Sequence, residues 1–147
     1  MYRDQVHKDS TSELFCTVML LVLTPTVTGT SVTAVNAGHP LALVRRANGT
    51  VSTLGQPGQL LGIFPSIDVD VTLAELHAGD MLLAYTDGAV EQRGMSISVG
   101  EHDLRAAFAS APVADSAAML THIHQTVEAL HESLEDDIAF VLARVTE

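Results

Sequence analysis

The chain has 147 residues, of which 47% are hydrophobic, and this length and composition predict one folded domain with a sizeable core rather than a disordered segment. Its 18 acidic residues outnumber its 7 lysines and arginines, so the net charge is −11. The few basic residues are scattered along the sequence, which argues against nucleic-acid binding because that affinity depends on clustered cations.

Cysteine content and apolar run lengths bear on the compartment. Cys16 is the only cysteine, so no internal disulfide can form, and this agrees with a reducing compartment. It lies in an apolar run, residues 16–23, and we expect a buried small hydrophobe rather than a nucleophile. That run is far below the roughly 20 residues that span a bilayer, and the N-terminus has no signal-like apolar segment. The sequence therefore predicts a cytoplasmic protein with no membrane partner.

The first part of the chain predicts a polar lead-in at residues 1–13 followed by six strands. Residues 14–24 are rich in apolar and β-branched side chains and predict a strand buried on both faces. Asn48-Gly49 is a strong hairpin turn, and the short connections favour antiparallel pairing. The other strands are predicted at residues 31–36, 41–46, 51–54, 67–76 and 81–85.

Beyond residue 90 the hydrophobic period changes. A short helix is predicted over residues 104–109, with His102 or Asp103 near its start. A longer amphipathic helix follows over residues 117–134, which Asp115-Ser116 can cap. Residues 137–145 predict a last buried strand. Strands, then helices, then a returning strand indicate an α+β layered domain.

Two acidic stretches fall at the ends of predicted buried strands. Asp87-Gly88 ends the strand at residues 81–85, and Asp136-Asp137 begins the last strand, directly after Glu135. If the two strand ends meet at one edge of a sheet, their carboxylates provide the oxygen ligands that Mg²⁺ and Mn²⁺ prefer. A plain turn at Asp87 and a simple helix-to-strand break at Asp136 are the competing interpretations.

A third stretch, residues 36–40, lies between two strands and contains Asn36, Gly38 and His39. A histidine in a turn is more often structural than functional, and the other six histidines show no metal-ligand spacing. The chain has no nucleotide-binding glycine loop, no nucleophile elbow and no Cys-x-x-Cys pair. An unrelated acidic α+β domain with coincidental turns is the weakest of the competing interpretations.

Taken in order, these stretches resemble the metal-dependent (PPM-type) protein phosphatases, in the bacterial branch typified by stage II sporulation protein E. The Gly-Asp…Tyr-Thr-Asp-Gly…Glu stretch and the Asp-Asp-Ile ending are specific together, although neither is so alone. The resemblance covers roughly residues 14–146. It is carried by residues 15–19, 23–25, 36–40, 60–63, 79–91 and 136–139.

The resemblance implies an α-β-β-α sandwich with a binuclear Mn²⁺ or Mg²⁺ centre, where an activated water attacks the phosphorus of a phosphoserine or phosphothreonine. By the same resemblance Asp87 and Asp136 match metal ligands. Supporting or substrate-side positions would be Gly88, Asp137, His39, Gly38 and Asn36. The implied partner is a phosphorylated regulatory protein such as an anti-sigma-factor antagonist.

One motif of the family has no counterpart in this sequence. We find no Gly-Asp-Val strand followed by a glycine-rich turn, whose Asp bridges both metals in the family, and the first glycine is Gly29. Residues 14–147 are therefore expected to be a partial phosphatase domain, incomplete at the N-terminus, that binds one metal or none and is weakly active or inactive alone. A non-catalytic regulatory or interaction module is the alternative. A homodimer is expected to cover the surface that the missing elements would expose.

Overall fold

The computed structural model describes residues 14–91, 96–113, 115–130 and 136–146, and in these ranges it contains seven strands and two α-helices. The predicted lead-in at residues 1–13 lies outside the described residues. The elements are β1 (Val18–Pro25), β2 (Thr30–Ala37), β3 (Ala42–Arg45), β4 (Val51–Leu54), β5 (Val71–Leu76), β6 (Met81–Tyr85), α1 (Ile97–Ser110), α2 (Ser116–Leu130) and β7 (Phe140–Arg144).

The strands form two sheets with the orders β1-β2-β5 and β4-β3-β6-β7. Every pairing between these strands is antiparallel, as the short connections predict. The hairpin turn at Asn48-Gly49 is confirmed, since Gly49 has a φ of 88° and Arg46 N–H donates to the carbonyl of Thr50 at 2.8 Å.

Alternate residues of β6 face two different cores, because successive side chains of a strand point to opposite faces of its sheet. Leu82 packs between the two sheets with Val32, Val44 and Leu76. On the other face, the odd-numbered residues of β6 pack against the helices. That second core contains Met81, Leu83, Tyr85, Leu104, Phe108, Met119, Ile123 and Val127.

The layers are therefore the three-stranded sheet, the four-stranded sheet and the helix pair. These are three of the four layers in the predicted α-β-β-α sandwich. In the part of the chain that is described, no helix lies over the outer face of the three-stranded sheet. Both helices pack on the four-stranded sheet, α2 against β7 and α1 against β3 and β4.

The prediction that residues 14–24 are buried on both faces is wrong. β1 is an edge strand, and only its inner side chains, such as Met19, reach the core between the sheets. Cys16 is exposed rather than buried. The side chains on the outer face are uncovered: Leu20 is 54% exposed, Val22 47%, Val71 61% and Leu73 73%.

The second half of the chain also differs from its predictions. α1 begins at Ile97, after Ser96, so His102 and Asp103 lie inside the helix rather than near its start. The cap of α2 is confirmed, since Asp115 Oδ1 accepts a hydrogen bond from Ala118 N–H at 2.8 Å. β7 is not buried throughout, because it is the edge strand of its sheet and Val141 is 68% exposed.

Arg45 ties β3 to the helix layer. It is only 9% exposed, and its Nη1 donates to the carbonyls of Phe108 at 2.9 Å and Ala111 at 2.7 Å. Phe108 lies in the last turn of α1 and Ala111 is the residue that caps it, so a cation there satisfies carbonyls at the helix end and complements the helix dipole.

Candidate metal centre

The central strand β6 delivers Asp87 to one end of the four-stranded sheet. Its apolar side chains fix the strand between two cores, and Asp87 then opens a short 3-10 helix, Asp87–Ala89. The Oδ1 atom of Asp87 accepts a hydrogen bond from the N–H of Gly88 at 3.0 Å. The side chain is therefore held by its own turn, on an element that the cores make rigid.

The start of β7 brings the second acidic stretch to the same end. Asp136 Oδ1 accepts a hydrogen bond from Asp137 N–H at 2.8 Å, and both acids are exposed. β6 and β7 are antiparallel neighbours whose register ends at the pair Tyr85 and Phe140. The end of one strand therefore lies beside the beginning of the other, as the sequence predicted for these two stretches.

Thr86 continues the pairing past the end of the regular ladder. Its N–H donates to the carbonyl of Ala139 at 3.1 Å, and its Oγ1 accepts from Ala139 N–H at 2.9 Å. The same hydroxyl donates to the carbonyl of Asp137 at 2.9 Å. Sequence reasoning assigned Thr86 no role, and the only local signal was its position directly before Asp87.

Gly88 lets the two stretches pack closely. A Cβ on this residue would lie 2.8 Å from the carbonyl oxygen of Asp137 and 3.1 Å from that of Asp136. The first distance is shorter than real Cβ contacts allow. The glycine is therefore required by the approach of the second acidic stretch and not by an unusual backbone angle, since its φ is not positive.

The carboxylates offer free oxygen atoms. Neither Oδ2 atom, on Asp87 or on Asp136, has a hydrogen bond or an ion pair within the described residues. Two carboxylates suit one Mg²⁺ or Mn²⁺, because these hard cations are often held by one or two carboxylates with water or phosphate completing the shell. The described part of the chain contains no group of three or more His, Cys, Asp or Glu arranged for a metal. Among the described residues the oxygen donors of Asp87 and Asp136 are thus a set that suits a single cation, and a binuclear centre needs further ligands.

Tyr85 stays protonated behind this site. Burial, with the nearby carboxylate of Glu101 as a smaller contribution, raises the pKa of Tyr85 to about 12. Its side chain is only 4% exposed, within the core under the helices. Tyr85 therefore adds no negative charge beside Asp87 at neutral pH.

The third predicted stretch lies at the same end of the sheet. β3 runs antiparallel to β6 with Leu43 opposite Leu83, so the loop that leads into β3 lies near the end of β6. Asn36 is buried, and its side chain bonds His39 twice, Nδ2 to the His39 carbonyl at 2.7 Å and Oδ1 to the His39 N–H at 2.9 Å.

The contacts of this loop are structural. Gly38 has a φ of 72°, and a Cβ there would lie 2.6 Å from Leu60 Cδ2. His39 Nδ1 lies 3.0 Å from the carbonyl of Pro40. Within the described residues, no hydrogen bond or ion pair joins this loop to Asp87 or Asp136. The structure thus brings the acids together and leaves Asn36, Gly38 and His39 as neighbours at the same end.

A separate polar cluster holds the opposite end of β6. Asp80 is 3% exposed, and its carboxylate accepts hydrogen bonds from Arg46 Nη1 at 2.8 Å, Ala47 N–H at 2.9 Å and His77 N–H at 3.0 Å. Burial alone would raise the pKa of Asp80, but these hydrogen bonds and the Arg46 charge together hold it below its ordinary value. Both ends of β6 are thereby fixed.

Two face-to-face antiparallel sheets with a helix pair over one of them are three of the four layers of the α-β-β-α sandwich, and solved PP2C-type phosphatase domains match this arrangement. The PP2C phosphatase domain of SpoIIE from Bacillus subtilis, solved with a fragment of its regulatory domain, matches with a TM-score of 0.75 and 20% identity, over 95% of this chain and 40% of that one. The same phosphatase domain presoaked with Mn matches with a TM-score of 0.67 and 19% identity, over 88% of this chain and 57% of that one.

The chain belongs to the family described as stage II sporulation protein E (SpoIIE), whose model matches residues 2–146. A curated relative, the phosphoserine phosphatase RsbP of Bacillus subtilis (strain 168), is 29% identical over 138 residues. That match covers 93% of this chain but only 32% of RsbP, so the chain spans about a third of the length of this relative. The family and fold that the sequence motifs implied are thus confirmed. None of the described helices is both long and apolar enough to cross a membrane.

Proposed function

We propose that this chain forms part of a metal-dependent protein serine/threonine phosphatase domain, which hydrolyses phosphoserine or phosphothreonine on a regulatory protein. The observation that carries the proposal is the convergence of the Asp87 and Asp136 stretches at adjoining ends of β6 and β7. Membership of the SpoIIE family and the similarity to a phosphoserine phosphatase support it.

In this proposal Asp87 and Asp136 hold Mn²⁺ or Mg²⁺ through their Oδ2 atoms, which have no hydrogen-bond or ion-pair partner among the described residues. The metal, when bound, supplies Lewis-acid chemistry that activates water and neutralises charge on the phosphoryl group. Gly88 and Asp137 keep the two acidic stretches in contact through the backbone. No general base beyond the metal-activated water is assigned.

The loop at residues 36–40 is proposed as the substrate-side edge of the site. Asn36 fixes the loop by its two hydrogen bonds to His39, and Gly38 permits the turn. When neutral His39 carries its proton on Nδ1, toward the Pro40 carbonyl, Nε2 is an acceptor that can take a hydrogen bond from the hydroxyl released at the phosphorylated side chain.

The proposed substrate is a phosphorylated regulatory protein such as an anti-sigma-factor antagonist, by analogy with the family. A cytoplasmic location is proposed with it, supported by the single cysteine. Residues 14–147 are proposed as the phosphatase-type unit.

We propose that activity of the 147-residue chain alone is weak, because the described residues contain no group of three or more His, Cys, Asp or Glu placed to hold a metal ion. The same observation favours the second candidate, a regulatory or interaction module that keeps the fold without catalysis. Mn²⁺-dependent hydrolysis of a phosphoserine peptide tests both. Slow hydrolysis that disappears on chelation supports the first candidate, hydrolysis at rates ordinary for an enzyme overturns the expectation of weakness, and absence of both hydrolysis and Mn²⁺ binding favours the module.

We propose further that a homodimer covers the outer face of the three-stranded sheet. Leu20, Val22, Val71 and Leu73 make this face apolar, and contiguous apolar patches on soluble proteins commonly mark interaction sites. A stable monomer at micromolar concentration in sedimentation velocity would count against this assembly.

A further inference from the structure

The hydroxyl oxygen of Thr86 accepts a hydrogen bond of the kind that a backbone carbonyl accepts in a regular pair of strands. The regular β6–β7 pairing ends at Tyr85 and Phe140. The N–H of Ala139, the residue before β7, then donates to Thr86 Oγ1 rather than to a main-chain carbonyl. The hydroxyl proton goes to the carbonyl of Asp137. A threonine hydroxyl has one proton to donate and lone pairs to accept, so a single side chain ties two points of the second stretch to the first.

These hydrogen bonds lie on the chain segments that carry the two acids. Asp87 follows Thr86 directly, and Asp136 precedes the bonded Asp137. Each carboxylate is in turn oriented by the N–H of its next residue, Gly88 or Asp137. A change in the distance between the two backbones therefore becomes a change in the separation of the carboxylates.

We infer that Thr86 is a positioning residue of the metal centre: its hydroxyl sets the spacing of Asp87 and Asp136, and so determines how tightly a divalent cation binds between them. This inference rests on the proposed metal centre and deepens it. Groups that orient metal ligands, without touching the metal, typically alter affinity about 10- to 100-fold when removed.

Removal of the hydroxyl should affect spacing more than folding. Thr86 is half-buried, and its hydrogen bonds to Asp137 and Ala139 are exposed. Water can therefore replace the lost partner, and the stability cost stays small. The backbone hydrogen bond from Thr86 N–H to the Ala139 carbonyl remains, but the hydroxyl bond to the Asp137 carbonyl, next to Asp136, is lost. The looser spacing there lowers affinity for an ion that needs both carboxylates at once.

The test compares Mn²⁺ dissociation constants of the full 147-residue chain, measured from the electron paramagnetic resonance signal of free Mn²⁺, in three variants. Thr86→Val removes the hydroxyl at nearly constant shape, and Thr86→Ser retains it. Thr126→Val is the matched control, because it deletes a hydroxyl that bonds a backbone carbonyl, that of His122 at 2.8 Å, within α2.

We expect Thr86→Val to bind Mn²⁺ about 10-fold more weakly than wild type, and Thr86→Ser and Thr126→Val to bind within about 2-fold of it. Hydrogen exchange of the Ala139 amide in metal-free protein should accelerate in Thr86→Val and recover in Thr86→Ser. Unchanged Mn²⁺ affinity in Thr86→Val, or an equal loss in Thr126→Val, overturns the positioning role.

Gly88→Ala decides the question if Thr86→Val does not fold. It keeps the hydroxyl but places a Cβ 2.8 Å from the Asp137 carbonyl oxygen, so the two stretches must separate. We expect a similar loss of Mn²⁺ affinity, and wild-type affinity in a folded Gly88→Ala protein would overturn the inference.

The metal centre and the positioning role of Thr86 can be refuted separately. If wild type and Asp87→Asn bind Mn²⁺ equally, the metal centre itself is wrong, and the role of Thr86 falls with it. If Asp87→Asn loses Mn²⁺ binding while Thr86→Val retains it, the centre stands and only the positioning role is wrong.

Discussion

Replacing Asp80 by Asn should destabilise the fold from the end of β6 opposite the acids. The carboxylate is buried and accepts three hydrogen bonds, one at Oδ1 from Ala47 N–H and two at Oδ2 from Arg46 and His77. An asparagine amide has only one acceptor atom. Its oxygen can keep the two bonds at the Oδ2 position, but its NH₂ group then faces the Ala47 N–H.

The cost follows from this mismatch. The Ala47 N–H is part-buried, in an exposed residue, so leaving it without an acceptor costs about 1 kcal/mol, the low end of the range for a buried donor. The lost charge opposite Arg46 adds less than about 1 kcal/mol, because the Arg46 side chain is 39% exposed. The free energy of unfolding at pH 7 should therefore fall by roughly 1–2 kcal/mol.

Urea denaturation of wild type and Asp80→Asn at several pH values measures this difference. The folded-state pKa of Asp80 is lowered, so its contribution is present above the unfolded pKa of about 3.9 and is lost as pH falls through the lower folded value. The two proteins should converge below that range. Asp70→Asn is the matched control, since Asp70 is exposed and should change little. Equal stability of Asp80→Asn and wild type at pH 7, or a difference that persists in acid, would refute the reasoning.

Three further outcomes are expected. Asp87→Asn should abolish Mn²⁺ binding in a titration in which Asp70→Asn binds like wild type. Equal binding by the two variants would refute the proposed metal centre. Leu73→Asp on the outer face of the three-stranded sheet should convert the proposed dimer to a monomer in sedimentation velocity, whereas Val141→Asp on the four-stranded sheet should not. A dimer that persists in Leu73→Asp would show that the dimer interface is not on this face. Arg45→Met should lower the free energy of unfolding by about 2 kcal/mol, because two carbonyls at the end of α1 lose a charged donor, and an unchanged urea midpoint would contradict this.

The strands could be predicted from hydrophobic pattern because each is short, apolar and bounded by turn residues. The layers that pack on these strands could not be predicted in the same way. Residues 14–24 have the composition of a strand buried on both sides, yet the outer face of β1 is open. Composition records that a face is apolar, and only the tertiary arrangement decides whether another layer lies on it.

The start of α1 was missed for a different reason. Residues 91–100 are polar and contain two glycines, a pattern that favours a loop, and Ile97, Val99 and Gly100 are weak helix formers. α1 nevertheless contains Gly100, because its backbone packs against Val90 so closely that a Cβ would clash with the Val90 carbonyl oxygen. Tertiary packing overrides propensity at this position, and no local pattern reports it.

In the candidate site, too, some residues could be predicted from the sequence and others could not. The placement of Asp87 and Asp136 at one sheet edge could be predicted, because both follow from strand ends. The role of Thr86 could not, since its hydroxyl partners are 51 and 53 residues away in sequence. A side chain that bonds distant backbone leaves no periodic signal.

The long separation between the paired segments also has a kinetic consequence. The β6–β7 ladder joins residues on either side of both helices, so a large loop must close before Asp136 can approach Asp87. Contacts of this range form slowly relative to the local hairpins β1–β2 and β3–β4. We therefore expect the carboxylate pair to assemble late in folding. A cation that binds only the assembled pair should stabilise the native state in proportion to the logarithm of its concentration, and should slow the detachment of β7 rather than speed the earlier steps.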